Sequence, residues 1–420
     1  MFPLGAAAML LAISMATTTV GPAMIGRREW ALPYDYWGTL VAAVRLAHFD
    51  VGGLYTQPTG LVSLPGAAVI LVPVAAVISA TGLSLAIPGP GNLHPPVWLL
   101  AGPYEIVLAC VTLFAADALA ERLGVSRGRR ALLAAASAGA LWNVSARWGH
   151  PEDAVAVGLL LYAVLALSRP RLSLAGWLAG AAVCVQPLVL LALPVLLSVL
   201  PWRRMPFFAA RAALPSIALL GAAAIANWNA TYTAVTSQPD SPVINHPTLW
   251  TSLAPHMAGG NVAAGPARAV TILLACCCAL AIRHRWQAAV SSWSPDLLAD
   301  VVWWVALTLA LRSFLEPVMV SYYPWPVLAV ALIPAATRWR RLLAAAVITS
   351  GLTAAAQGPS HDVWIWWAPI VAGLAVLLAI ARAPRRAQFS GRPAPECRFG
   401  GGDFVAGVRA GLEPVPDTKE

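Results

Sequence analysis

Long apolar runs separated by short turns that carry arginine set the pattern of this chain. Runs such as Phe2–Met24, Val97–Ala116 and Leu297–Leu311 contain almost no charge. A bilayer crossing takes about 20 predominantly apolar residues, and backbone in lipid satisfies its own hydrogen bonds by coiling into a helix. The alternation of outer-membrane strands is absent. The pattern predicts an all-α, polytopic integral membrane protein. Its spans fall near 3–25, 97–120, 131–147, 152–168, 173–185, 187–200, 207–227, 266–282, 297–313, 317–336, 342–356 and 362–381. Gln186-Pro187 divides a short pair, read as two half-length helices or one kinked helix, because proline removes a helix hydrogen bond. With the apolar segment 64–82, which holds Pro65 and Pro73, the chain makes about eleven to thirteen crossings or half-crossings.

Arginine placement orients these spans. With the N-terminus inside and 26–96 as one external segment, Arg122, Arg127, Arg129, Arg130, Arg169, Arg171, Arg203 and Arg204 lie on the cytoplasmic side. So do Arg283, Arg285, Arg338, Arg340, Arg341, Arg382, Arg385 and Arg386. Counting 64–82 as a crossing would turn all of these outward, so it is expected to lie along or dip into the external leaflet. Arg27, Arg28 and Arg45 fall outside, against the bias. Residues 37–48 read as an amphipathic helix lying on the membrane. A second external loop, 228–265, holds Trp228, Tyr232, His246, Trp250 and His256, which suit an interfacial belt or platforms for a sugar ring. The acids Glu29, Asp35, Asp50, Glu152, Asp153, Asp240, Glu316 and Asp362 sort to the external face. Residues 1–382 then form one membrane domain of the plasma membrane. Residues 383–420, rich in Gly, Pro and Arg, are expected to be a disordered cytoplasmic tail.

Composition narrows the classes. Apolar residues make up 59% and charged residues 11%, against about 45–50% and about 25% in an ordinary soluble domain. The net charge of +9 comes from loop arginines, with Lys419 the sole lysine, so nucleic acid is not an expected partner. Cys110, Cys184, Cys276, Cys277 and Cys278 fall inside spans and read as small buried hydrophobes; Cys397 lies in the tail. No CxxC spacing, metal signature or nucleotide loop occurs. The N-terminus lacks a basic leader, so Phe2–Met24 reads as a retained span. Glu105 needs a partner inside the membrane, with Arg147 the candidate, while Asp117 and Glu121 read as surface charges near Arg122.

The order of the remaining motifs is informative. Tyr34-Asp35-Tyr36-Trp37 follows the first span, then Leu54-Tyr55 and Leu64-Pro65-Gly66. The basic loop Arg127–Arg130 comes next, then the corner Trp148-Gly149-His150-Pro151-Glu152-Asp153. Gly180 precedes Gln186-Pro187, and Arg312 precedes Tyr322-Tyr323. In this order the chain resembles the membrane-embedded glycosyltransferases of the GT-C superfamily. More closely, it resembles the bacterial mannosyltransferases that use a polyprenyl-phosphate sugar. The resemblance spans most of residues 1–336.

It implies transfer of a sugar, mannose first, from a polyprenyl-phosphate donor to a lipid or cell-envelope glycan acceptor at the external face. Asp35 would be the base that takes the acceptor's proton. Arg312 would hold the donor phosphate, since guanidinium matches phosphate oxygens. Glu152, Asp153, His150, Tyr322 and Tyr323 would bind or orient substrate, and Asp50 is the second-choice acid. No cofactor is implied. Each role has a plain rival: Asp35 as a solvated or capping acid, Glu152 and Asp153 as acids favoured at a helix start, and Arg312 paired with Glu316 one turn on.

The chain departs from the family in three places. The first loop has isolated acids and no acidic pair, position 186 is Gln where relatives often carry a basic residue, and 228–265 is poor in charge. Two adjacent carboxylates are few for a divalent metal. The competing class is a secondary transporter or a flippase of an envelope precursor, which the span count and the broken helix would suit. Internal repeats and a matching break in the second half are absent, and the polar residues gather at one face, away from the midplane.

Overall fold

The computed structural model describes residues 1–24, 34–56, 61, 63–86, 96–237, 246–286, 293–358 and 362–382. The tail 383–420, with Arg27, Arg28, Glu29 and Asp240, lies outside the described residues. Among the described residues there are seventeen α-helices and no strand. After α1 (Phe2–Met24) come α2 (Tyr34–Ala47), α3 (Pro65–Val69) and α4 (Val72–Thr81). Next come α5 (Trp98–Ala109), α6 (Val111–Arg122), α7 (Arg127–Trp142), α8 (Pro151–Leu167) and α9 (Leu172–Val185). They are followed by α10 (Leu193–Ser198), α11 (Met205–Ala226), α12 (Trp228–Ser237) and α13 (Gly265–Trp286). The last four are α14 (Pro295–Leu315), α15 (Trp325–Ala335), α16 (Trp339–Ala355) and α17 (Ala368–Ala381).

Five helical stretches are long and apolar enough to cross a membrane: Trp98–Arg122, Trp202–Ala226, Gly265–Trp286, Pro295–Leu315 and Val363–Ala381. Two helices are buried on nearly every face. All of α15 is buried, and in α8 only Leu159 and Tyr162 are not. A helix that is apolar all round belongs inside. Small residues let the helices close on one another. A Cβ on Gly158 would stand 2.7 Å from Val111 Cγ1 of α6, and one on Gly180 would stand 2.7 Å from the Arg211 carbonyl oxygen of α11. Outward, α11 and α13 bury few residues and show Ile217, Ile225, Ile272, Leu273 and Leu280. Cys276 and Cys277 share that exposed face, so neither is the buried small hydrophobe that the apolar run suggested.

The helices α2 to α4 have their own core. Tyr36, Trp37, Leu40, Leu54, Ala68, Leu71, Val74 and Ile78 pack together. The helix expected over 37–48 is present as α2; residues 36–40 are all buried, and α2 packs against α4. Tyr36 Oη donates to the Ala101 carbonyl at 3.0 Å, and Trp37 Nε1 to that of Leu85 at 3.0 Å. Segment 64–82 forms two short helices, and the ten residues of α4 rise only about 15 Å, half a bilayer core. A Cβ at Gly66 would collide with the Cys184 carbonyl, so glycine there lets α3 reach the end of α9.

Three further expectations change. The stretch 228–265 is partly helical, with α12 and short 3-10 turns at Thr251–Leu253 and Ala258–Gly260. Asp117 is not a surface charge: Arg130 Nε and Nη2 donate to its two oxygens at 2.7 Å each, tying α6 to α7. Glu105 is buried in α5, no ion pair joins it to Arg147, and its Oε1 has no hydrogen-bond partner among the described residues.

Candidate functional site

The corner between α7 and α8 builds the site. A π-turn at Asn143–Arg147 ends α7, and Gly149 turns the chain at φ 64°, a conformation glycine takes without strain. The Gly149 and His150 amides close the corner on the carbonyls of Ser145 and Val144. Pro151 then starts α8 where its missing N–H costs nothing. Glu152 and Asp153 fall in the first turn, where a helix dipole favours acids, yet both are buried along with His150.

His150 is the hub. Its Nδ1 lies 2.7 Å from Glu152 Oε1, and its Nε2 lies 3.9 Å from Asp35 Oδ2. Its ring stacks on Tyr322 at 4.0 Å. Burial opposes the imidazolium, but Glu152, Asp153 and Asp35 around it outweigh that and hold its pKa above the ordinary value. Asp35 belongs to the first turn of α2 and is no cap; its side chain is 54% exposed, so an acceptor hydroxyl has access to it. Its place is fixed by the buried neighbours Tyr36 and Trp37.

The second part lies at the broken helix. Gln186 is extended (φ −145°, ψ 113°) between α9 and a 3-10 turn at Pro187–Ala192. Its Nε2 donates to Asp153 Oδ1 at 2.5 Å. Beyond Gln186 opens a cavity of about 210 Å³, lined by Leu190, Leu191, Arg268, Thr271, Arg312 and Glu316 among others. Arg312 is half-buried, with its guanidinium carbon 3.7 Å from the centroid of the Tyr323 ring. It does not pair with Glu316. Instead Arg268 Nε and Nη2 donate to Glu316 Oε1 at 3.1 and 3.0 Å. Tyr322 and Tyr323 meet edge to face at 5.3 Å, so an aromatic pair joins His150 to Arg312.

Asp35, His150, Glu152, Asp153, Arg312, Tyr322 and Tyr323 are thus brought into one neighbourhood. Asp50 is not: Arg45 (3.5 Å) and the Gly53 amide (2.9 Å) engage it within its own turn. The sequence reading missed Arg268 as a site residue. Its one signal was position, as the first cation after the charge-poor stretch 228–265. Gln186 counted as a departure, yet it is the residue that joins the buried acid to the cavity. Among the described residues no group of three His, Cys, Asp or Glu side chains is placed to hold a metal ion. No protein-family model and no curated protein matches this chain.

Proposed function

We propose that this chain is a polytopic glycosyltransferase of the GT-C type in the plasma membrane. It transfers a sugar, mannose first among candidates, from a polyprenyl-phosphate donor to a lipid or envelope-glycan acceptor at the external face. The observation that carries the reading is the meeting of an accessible carboxylate with a cationic cavity. Asp35 stands against the His150–Glu152 pair, and Gln186 links Asp153 to the cavity that Arg268 and Arg312 line.

The chemistry follows from those parts. The acceptor oxygen bonds to the anomeric carbon on the face opposite the phosphate, and Asp35 takes its proton. The bond from that carbon to the phosphate oxygen breaks, inverting the centre. The prenyl phosphate leaves with one more negative charge than the diester brought. Arg312, held by Tyr323 and, among the described residues, free of a carboxylate within 4 Å, is available to that developing charge. His150 between Asp35 and Glu152 orients the base, and no metal ion is needed to activate the leaving phosphate.

The test is transfer from labelled polyprenyl-phosphate mannose in proteoliposomes supplied with native membrane acceptors. Asp35→Asn should cut the rate roughly a hundredfold or more, the scale of a lost general base. No transfer by the wild-type protein from mannose or arabinose donors would reject the reading. Uptake assays would then test the transporter alternative.

A further inference from the structure

The cavity beside Arg312 has a charge balance of its own. Arg268, Arg312 and Glu316 are its charged lining residues, so the lining carries one net positive charge. The side chain of Glu316 is only 2% exposed, and its Oε1 takes both donors that Arg268 points inward. Among the described residues Arg312 has no carboxylate within 4 Å, and it rests on a ring face. The next acid, Asp153, is hydrogen-bonded to the lining residue Gln186. One guanidinium is therefore held in reserve by a buried acid while the other stays available.

We propose, resting on the polyprenyl-phosphate reading above, that Glu316 sets the charge of the anion this cavity accepts, holding Arg268 back so that the site fits a singly charged phosphodiester and disfavours a doubly charged phosphate. The arrangement serves turnover. The donor diester carries one charge, whereas a phosphate monoester carries about −1.5 to −2 near pH 7. A cavity with two unopposed arginines would grip the spent carrier more tightly than the loaded one. With Glu316 in place, the product meets a site one charge short and is released.

The test uses purified protein in detergent and two soluble probes, geranyl methyl phosphate and geranyl phosphate. Titration calorimetry at about pH 8.5, well above the second phosphate pKa of about 6, keeps them singly and doubly charged. The wild-type protein should bind the diester at least as tightly as the monoester. Glu316→Gln should shift the preference toward the monoester by about tenfold or more, the scale of one charge contact at the dielectric of a protein surface. Glu316→Asp keeps the charge and should keep the wild-type preference, which separates charge from a folding defect. An unchanged preference in Glu316→Gln, with both probes still binding, overturns the role of Glu316 alone. If neither probe binds the wild-type protein, the phosphate reading of the cavity falls as well.

Discussion

Replacing Arg312 should damage activity without damaging the fold. The guanidinium is half-buried and, among the described residues, has no carboxylate within 4 Å; it lies 3.7 Å from the Tyr323 ring centroid. Such a cation–π contact contributes about 0.5–2 kcal/mol. Removing the cation from water costs several kcal/mol, which an unpaired charge does not recover. Arg312→Met keeps the apolar stem and drops the charge, so stability should change by less than about 1 kcal/mol, or rise. Activity should behave differently. A charge aimed at a developing oxyanion is worth about 2.7–4 kcal/mol, or roughly a hundred- to a thousandfold in rate. Arg312→Lys restores a point charge without the planar fork and should recover only part of that loss. The assay pairs initial rates of sugar transfer with thermal unfolding of the same preparations in detergent. Unchanged transfer in Arg312→Met, or a large fall in melting temperature that accounts for the lost rate, would refute the assignment.

Other perturbations test the frame. Gly180→Val should push α9 off α11 and cost about 1–3 kcal/mol by overpacking, while Gly139→Ala, where a Cβ meets nothing within 4 Å, should be neutral or slightly stabilising by melting temperature. Asp117→Asn breaks two short bonds to a guanidinium and should cost about 1–3 kcal/mol in the same measurement. His150 supplies a pH effect. Its folded pKa is raised, so the attraction of the imidazolium for Glu152 and Asp35 is fully present below the ordinary value of about 6.5 and is lost as pH rises through the folded value. Stability should therefore fall with rising pH across that window, and His150→Gln should flatten the slope.

The sequence makes the helices legible because long, nearly charge-free runs stand out in a single chain, and five helical stretches are long and apolar enough to cross a membrane. The break at Gln186-Pro187 is equally legible, since Pro187 has no N–H to give and the residue before it turns extended. What stayed hidden was pairing across distance. Arg312 and Glu316 sit one turn apart in sequence, and local spacing suggests a pair, yet Glu316 leaves α14 at its C-cap and meets Arg268, 48 residues earlier. Asp117 of α6 finds Arg130 on the next helix, α7, and Glu105 Oε1 has no hydrogen-bond partner among the described residues. The packing around α2 stayed hidden for a related reason. Its mixed composition suits a membrane surface, but a second layer made by α3 and α4 closes over it. Helix content follows from local pattern; which charge meets which follows from packing.

The buried residues of α13 are Thr271, Ala275, Ala279, Ile282 and Trp286, one narrow seam recurring every three or four positions. Such a seam holds a helix by a single edge, and Arg268 is mounted one turn before it begins. An anion held by Arg312 of α14, in the cavity that Arg268 and Thr271 of α13 also line, would therefore bridge α13 and its neighbour α14. Occupancy and local rigidity become one thermodynamic quantity, because whatever binds the closed arrangement stabilises it in proportion to its saturation. Amide exchange along α13 should slow as a phosphodiester ligand is titrated in, reporting the loading of the carrier from a helix whose side chains mostly never touch it.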